Sequence, residues 1–152
     1  MAVYQVVTLP DPVLRQKAQT VEKITPGVLR VLDNMHDTLY AAEGIGLAAP
    51  QIGISKRIIV IDPGDQYIEM INPEIIYREG EVLGREGCLS VPGMVGWLNR
   101  AQKITVKGLN RNGENLEIEA GDMLARVFQH EIDHLDGILF PDKAVKTRKD
   151  AD

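Results

Sequence analysis

The chain has 152 residues, 44% hydrophobic and 26% charged, a balance typical of one soluble domain that can bury a core without disulfides or an obligatory structural metal. Its formal net charge of -5 argues against a general nucleic-acid binder. The single cysteine, Cys88, rules out an internal disulfide framework and fits a reducing compartment, by default the cytoplasm.

The N-terminus "MAVYQVVTLPDP" has no basic segment followed by a long apolar one, and no run approaches the roughly 18 apolar residues that span a bilayer, so neither a signal peptide nor a membrane anchor is expected. Asp11 as an N-cap with Pro12 at the first helical position predicts a short helix over about residues 11 to 18. Thr25 and Pro26 repeat that start. Val28, Leu32, Met35 and Leu39 keep helical spacing and Gly44 supplies a stop, giving a second helix over roughly 25 to 42. The signals then change to strands: "RIIVID", "YIEMINPEIIY", "QKITVKGLN" and "NLEIEA", the last two flanking the turn "RNGE" as a hairpin. "GDMLARVFQHEIDHLDG" returns to helical spacing and ends at Gly137. The basic tail, about residues 143 to 152, reads as frayed and solvated. Two N-terminal helices and a C-terminal helix around central antiparallel or mixed strands predict a single α+β domain over residues 1–152.

In "QHEIDHLDG", His130 and His134 are four residues apart on a helix, offset by only about 40°, and so can grip one ion. They share a stripe with Met123 and Val127. The adjacent stripe is Leu124, Phe128, Glu131 and Leu135, whose one acid is therefore expected to be at least partly buried; burial would raise its pKa, which suits a general base and acid, and a nearby metal ion would oppose the rise. Catalytic metal sites of this kind use a third protein ligand. Cys88, Glu86 and His36 are candidates: His36 reads as a surface or edge residue of the second helix, and Cys88, in the glycine-containing segment "REGCLSVPG", reads either as a ligand where backbone can approach an ion or as a buried small hydrophobe. "EGIGLAAPQIG" reads as a helix stop followed by a close-packed turn, and its Gln51 as either a satisfied core amide or a donor for a developing oxyanion.

"GIGLAAPQ" at 44–51 with no substitution of its glycines, then "EGCLS" at 86–90 and "QHEIDHLDG" at 129–137, together resemble the motifs of the peptide deformylases, in the same order. The resemblance runs from near residue 4 to about 143. It implies removal of the formyl group from N-formylmethionyl peptides and nascent chains, with release of formate. It implies one divalent ion on Cys88, His130 and His134, with Fe²⁺ favoured and Ni²⁺, Co²⁺ or Zn²⁺ also accommodated. Glu131 would be the proton shuttle, and Gln51 with the backbone N–H of Leu89 would stabilise the oxyanion. Ile45 and Gly46 would pair with the peptide backbone, while Ile45, Glu86, Val127 and His130 would surround the methionine side chain. Met94 and Trp97 read either as lining the cleft further along or as core packing or a contact between molecules, and Glu86 with Arg100 as a charge pair bracing the Cys88 loop. Many family members carry a further C-terminal helix used in ribosome docking. This chain stops at Asp152, leaving that docking open, with Lys143, Lys146, Arg148 and Lys149 as a weak substitute. The oligomeric state is left open as well.

Two other classes compete. A zinc endopeptidase would usually supply its third ligand downstream as His or Glu, and the 15 residues after Gly137 contain neither. A non-catalytic relative would be marked by loss of Glu131 or Gln51, and both are present.

Overall fold

The computed structural model describes residues 2–149. Its first helical segment is a single 3-10 turn, Pro12–Arg15, with Asp11 capping Val13. The predicted start is in place, but the helix does not run to residue 18. Gln16 turns extended, Ala18 donates its N–H to the Leu135 carbonyl at 2.7 Å, and Gln19 pairs with Lys56, so this stretch finds its backbone partners in other elements. Helix α1 spans Pro26–Ala41 with Thr25 capping Val28. Its stop differs in detail from expectation: Glu43 takes the left-handed conformation at φ 55°, and the Gly44 N–H closes back on the Leu39 carbonyl.

Five strands follow: β1 (Gly46–Ala48), β2 (Ile58–Ile61), β3 (Ile68–Glu79), β4 (Val82–Cys88) and β5 (Val91–Arg100). Then come β6 (Lys103–Leu109), β7 (Asn115–Gly121), helix α2 (Asp122–Leu135), the short helix α3 (Phe140–Lys143) and β8 (Lys146–Lys149). The strands form a five-stranded sheet in the order β1-β2-β3-β6-β7 and a three-stranded sheet in the order β4-β5-β8. All their ladders are antiparallel. The expected α+β class holds.

Strand β2 explains the central layering. All four of its residues are buried, because Ile58 and Val60 pack toward α1 with Leu32, Met35 and Leu39, while Ile59 and Ile61 join Val127, Phe128 and Leu135 of α2. A strand covered on both faces reads as an unbroken apolar run rather than an alternating one. The larger sheet is thus sandwiched between α1 and α2. A third cluster, Leu14, Val91, Leu98, Leu139 and Phe140, seats the smaller sheet, with Cys88 and Met94 at its border.

The tail expectation is corrected over residues 146–149, which pair with β5 in the register Trp97↔Lys146 to Met94↔Lys149. Lys146 and Arg148 lie over the Trp97 ring, 5.7 Å and 5.3 Å from its centroid. Cation–π contact and an open strand edge order the segment, while its side chains stay exposed as the charge pattern suggested. Residues 150–152 of that tail lie outside the described residues.

Candidate metal and catalytic site

Helix α2 presents His130 and His134 one above the other, their rings 5.1 Å apart. Cys88 ends β4, where the β4–β5 register shifts between Glu86 and Cys88, and this irregularity turns the thiol toward the helix. Sγ stands 3.2 Å from His134 Nε2. One ligand atom from each of Cys88, His130 and His134 lies within 4.8 Å of the others, the only such group of three among the described residues. His36 is not part of it; it sits half-exposed on α1 against Tyr40 and Tyr67. Glu86 is not part of this group either, but hydrogen-bonds His130 within it.

Glu86 is buried, and its carboxylate takes Arg100 Nε and Nη2 at 2.9 Å each, Arg126 Nη1 at 2.6 Å and His130 Nδ1 at 2.8 Å. Burial works against the anion, but the hydrogen bonds and charges of His130 and Arg100 hold its pKa well below the usual carboxylate range. An ionised carboxylate can only accept, so His130 Nδ1 donates and its Nε2 lone pair faces the site. The expected Glu86–Arg100 pair is present and also bonds Asp133 of α2.

Glu131 is 3% exposed, with Oε1 lacking a hydrogen-bond partner among the described residues and Oε2 4.0 Å from His130 Nε2. Burial pushes its pKa up to about 7 against the pull of His130. Burial, reinforced by nearby positive charge from His130 and Arg100, holds His134 well below its ordinary value. For His130 burial is outweighed by the surrounding Glu131, Cys88 and Glu86, which raise it. Gly46 gives Glu131 its room: a Cβ there would stand 2.5 Å from Oε2 and 2.9 Å from Val127 Cγ1.

Gln51 is 1% exposed, and its hydrogen bonds fix which way its amide faces. Its Oε1 accepts from the Ala48 N–H at 2.9 Å, which can only donate, so the NH₂ group must face the other way. It donates to Ser90 Oγ at 3.1 Å and approaches Cys88 Sγ at 3.7 Å. Beside these groups opens a cleft of about 440 Å³, lined by Ile45, Gly46, Glu86, Leu89, Met94, Met123 and Val127 among others. Trp97 is not in its wall; it faces the β8 cations instead. Sequence reasoning also passed over Arg126, Ser90 and Gln129. Arg126 was detectable in principle, being one helical turn before His130.

The donor set fits a divalent transition metal: a thiol and two imidazoles of mixed softness converge, and a buried carboxylate with an unpartnered oxygen faces them. No described helix is long and apolar enough to cross a membrane. The Polypeptide deformylase family model matches residues 3–150. A peptide deformylase of Syntrophomonas wolfei subsp. wolfei is 65% identical over 148 residues, covering 97% of each chain. One of Carboxydothermus hydrogenoformans is 60% identical over 144 residues and 95% of each chain. Among solved structures, the peptide deformylase of Thermotoga maritima superposes with a TM-score of 0.92 at 41% identity, covering 95% of this chain and 99% of its own. That of Ehrlichia chaffeensis in complex with actinonin gives 0.93 at 38%, covering 96% and 91%. Motifs, fold and full-length similarity agree, and the chain belongs to the peptide deformylase family, single-metal hydrolases that remove the N-formyl group from nascent peptides.

Proposed function

We propose that Cys88, His130 and His134 hold the family's ion, Fe²⁺ in the cell, and that Glu131, Gln51 and Leu89 carry the chemistry of formyl removal from formylmethionyl peptides. The observation behind this is the convergence of three ligand atoms within 4.8 Å beside a buried carboxylate and an oriented amide. When bound, the ion supplies Lewis acidity toward the formyl oxygen and acidifies water. Glu131 takes the proton of the attacking water and returns it to the amine nitrogen. The new C–O bond and the broken C–N bond leave formate and a free methionyl α-amine. Gln51 Nε2 and the Leu89 N–H donate to the formyl oxygen as it gains charge. Ile45, just before β1, and Gly46, the first residue of that edge strand, pair with the extended peptide backbone, and Ile45, Glu86, Val127 and His130 enclose the methionine side chain.

The test is formate release from a formyl-Met peptide, with an acetyl-Met peptide as control and metal content measured on the same sample. Formyl-Met should be strongly preferred, since the acetyl methyl needs space where the site is closely packed; equal rates would overturn the reading. Protein prepared without oxygen should be most active with Fe²⁺ and fade in air as iron or Cys88 oxidises, while Ni²⁺ or Co²⁺ gives durable activity and Zn²⁺ less. The same reading implies a cytoplasmic location, where nascent chains are made.

A further inference from the structure

Arg126 belongs to none of the roles above, yet it is fixed on three sides. Its Nη1 donates to Glu86 Oε2 at 2.6 Å and reaches the Leu98 carbonyl at 3.4 Å, and its Nη2 donates to the Val82 carbonyl at 2.7 Å. Val82 and Glu86 are on β4 and Leu98 is on β5, so one guanidinium from α2 ties two of the three strands of the smaller sheet to the helix. That helix carries His130 and His134, and that sheet carries Cys88. Arg126 is thus a tie between the two pieces of backbone that must meet to form the ligand set.

Gly84 supplies an independent observation. Its backbone conformation is open to any residue, but a Cβ there would stand 2.7 Å from Arg126 Cζ, 2.8 Å from Nη2 and 2.9 Å from Nε. The glycine is required by the guanidinium that crosses it rather than by a turn. Gly84 pairs with Leu98, between the Val82↔Arg100 and Glu86↔Gly96 rows, so the side chain crosses the sheet at the row separating its two carbonyl and carboxylate contacts.

We propose that Arg126 is a positioning residue for the metal centre: it fixes Glu86, and through Glu86 the ring of His130, while setting the distance between β4 and α2. Arg100 cannot replace it. Arg100 divides its donors between Glu86 and Asp133, whereas among the described residues Arg126 alone links Glu86 to the Val82 carbonyl. Outer partners of this kind orient ligands without touching the ion, and their loss costs about 10–100-fold in metal affinity. The inference rests on the metal-centre reading above.

The experiment measures Co²⁺ affinity, by competition with a chelator, and the Co²⁺ visible absorption spectrum for the parent protein and for Arg126→Met, Arg126→Lys and Gly84→Ala, with melting of the metal-free proteins alongside. Arg126→Met and Gly84→Ala should each weaken Co²⁺ binding about 10-fold or more and alter the spectrum. Arg126→Lys, which can reach Glu86 as a point charge but not fork to the carbonyls, should recover part of the affinity. If Arg126→Met holds Co²⁺ within twofold of the parent with an unchanged spectrum, even while its metal-free form melts lower, Arg126 is a structural tie only and the proposal is overturned. A parent that does not bind Co²⁺ overturns the metal-centre reading itself, and this one with it.

Discussion

The amide of Gln51 illustrates how one residue joins folding to chemistry. Its oxygen satisfies the buried Ala48 N–H while its NH₂ group points at Ser90 and Cys88, so the same side chain is both core amide and oriented donor. Gln51→Ala should lower kcat by roughly 10²-fold or more if that donor meets the oxyanion. It should also leave the Ala48 N–H unpaired at a cost of about 1–3 kcal/mol. Gln51→Glu separates the two effects, because it keeps the acceptor for Ala48 and replaces the donor. Turnover should fall for both variants, and in melts at about pH 4.5, where burial keeps the introduced acid protonated, the larger loss of melting temperature should belong to Gln51→Ala. A kcat within a few-fold of the parent in both would leave only the packing role. The sequence announced Gln51 as a polar residue after a small apolar run, but not which way its amide faces. That depends on the Ala48 N–H and on Ser90, a residue 39 positions away.

At the scale of elements, α2 is held along its length by side chains that no periodicity reveals. Gln129, 3% exposed, accepts from the Ala101 N–H and donates to the Ala101 and Ala125 carbonyls, each at 2.9 Å. It lies one position before His130 and clamps the helix to the β5–β6 turn. At the far end Arg57 donates to the Leu135 carbonyl and to Asp136, both at 3.0 Å, closing the helix C-terminus. Gln129→Leu keeps the volume roughly but strands both backbone groups of Ala101, and should cost about 2–4 kcal/mol of stability. Chemical denaturation of the metal-free protein checks this; a loss under about 0.5 kcal/mol would mean water replaces the amide without penalty. The helix itself was legible from its apolar stripe and terminal glycine. The predicted first helix stops at Arg15 because the chain beyond it bonds elsewhere, Ala18 to Leu135 and Gln19 to Ser55, contacts of long sequence separation that local signals cannot carry.

Among the described residues, Glu131 is a buried acid with one oxygen left without a hydrogen-bond partner, and pH can expose it. The three motifs were readable because chemistry constrains their residues, whereas the two-sheet arrangement joining them depends on bulges, edge pairing and the Arg100 and Arg126 ties. In the metal-free protein Glu131 has a pKa of about 7 against an ordinary 4.5, because burial disfavours its anion. A raised folded-state pKa means the native protein holds a proton that the unfolded chain releases. The associated stability is fully present below about pH 4.5 and is lost as pH rises to about 7 and beyond. At pH 8 the buried anion should therefore cost on the order of 3 kcal/mol. Glu131→Gln mimics the protonated acid, so the metal-free variant should be more stable than the parent at pH 8 by about that amount, and the difference should vanish near pH 4.5. His134, held neutral by burial, acts oppositely, losing stability as pH falls below its ordinary value near 6.5, and it does so in both proteins. Thermal melts of metal-stripped parent and variant across pH 4.5–8 read the difference directly. Metal added at pH 8 should narrow it, since a cation beside the carboxylate favours the anion. Parallel melting curves for the two proteins, with no divergence toward alkaline pH, would mean that Glu131 is solvated or paired in solution and is not the tuned base of the reaction.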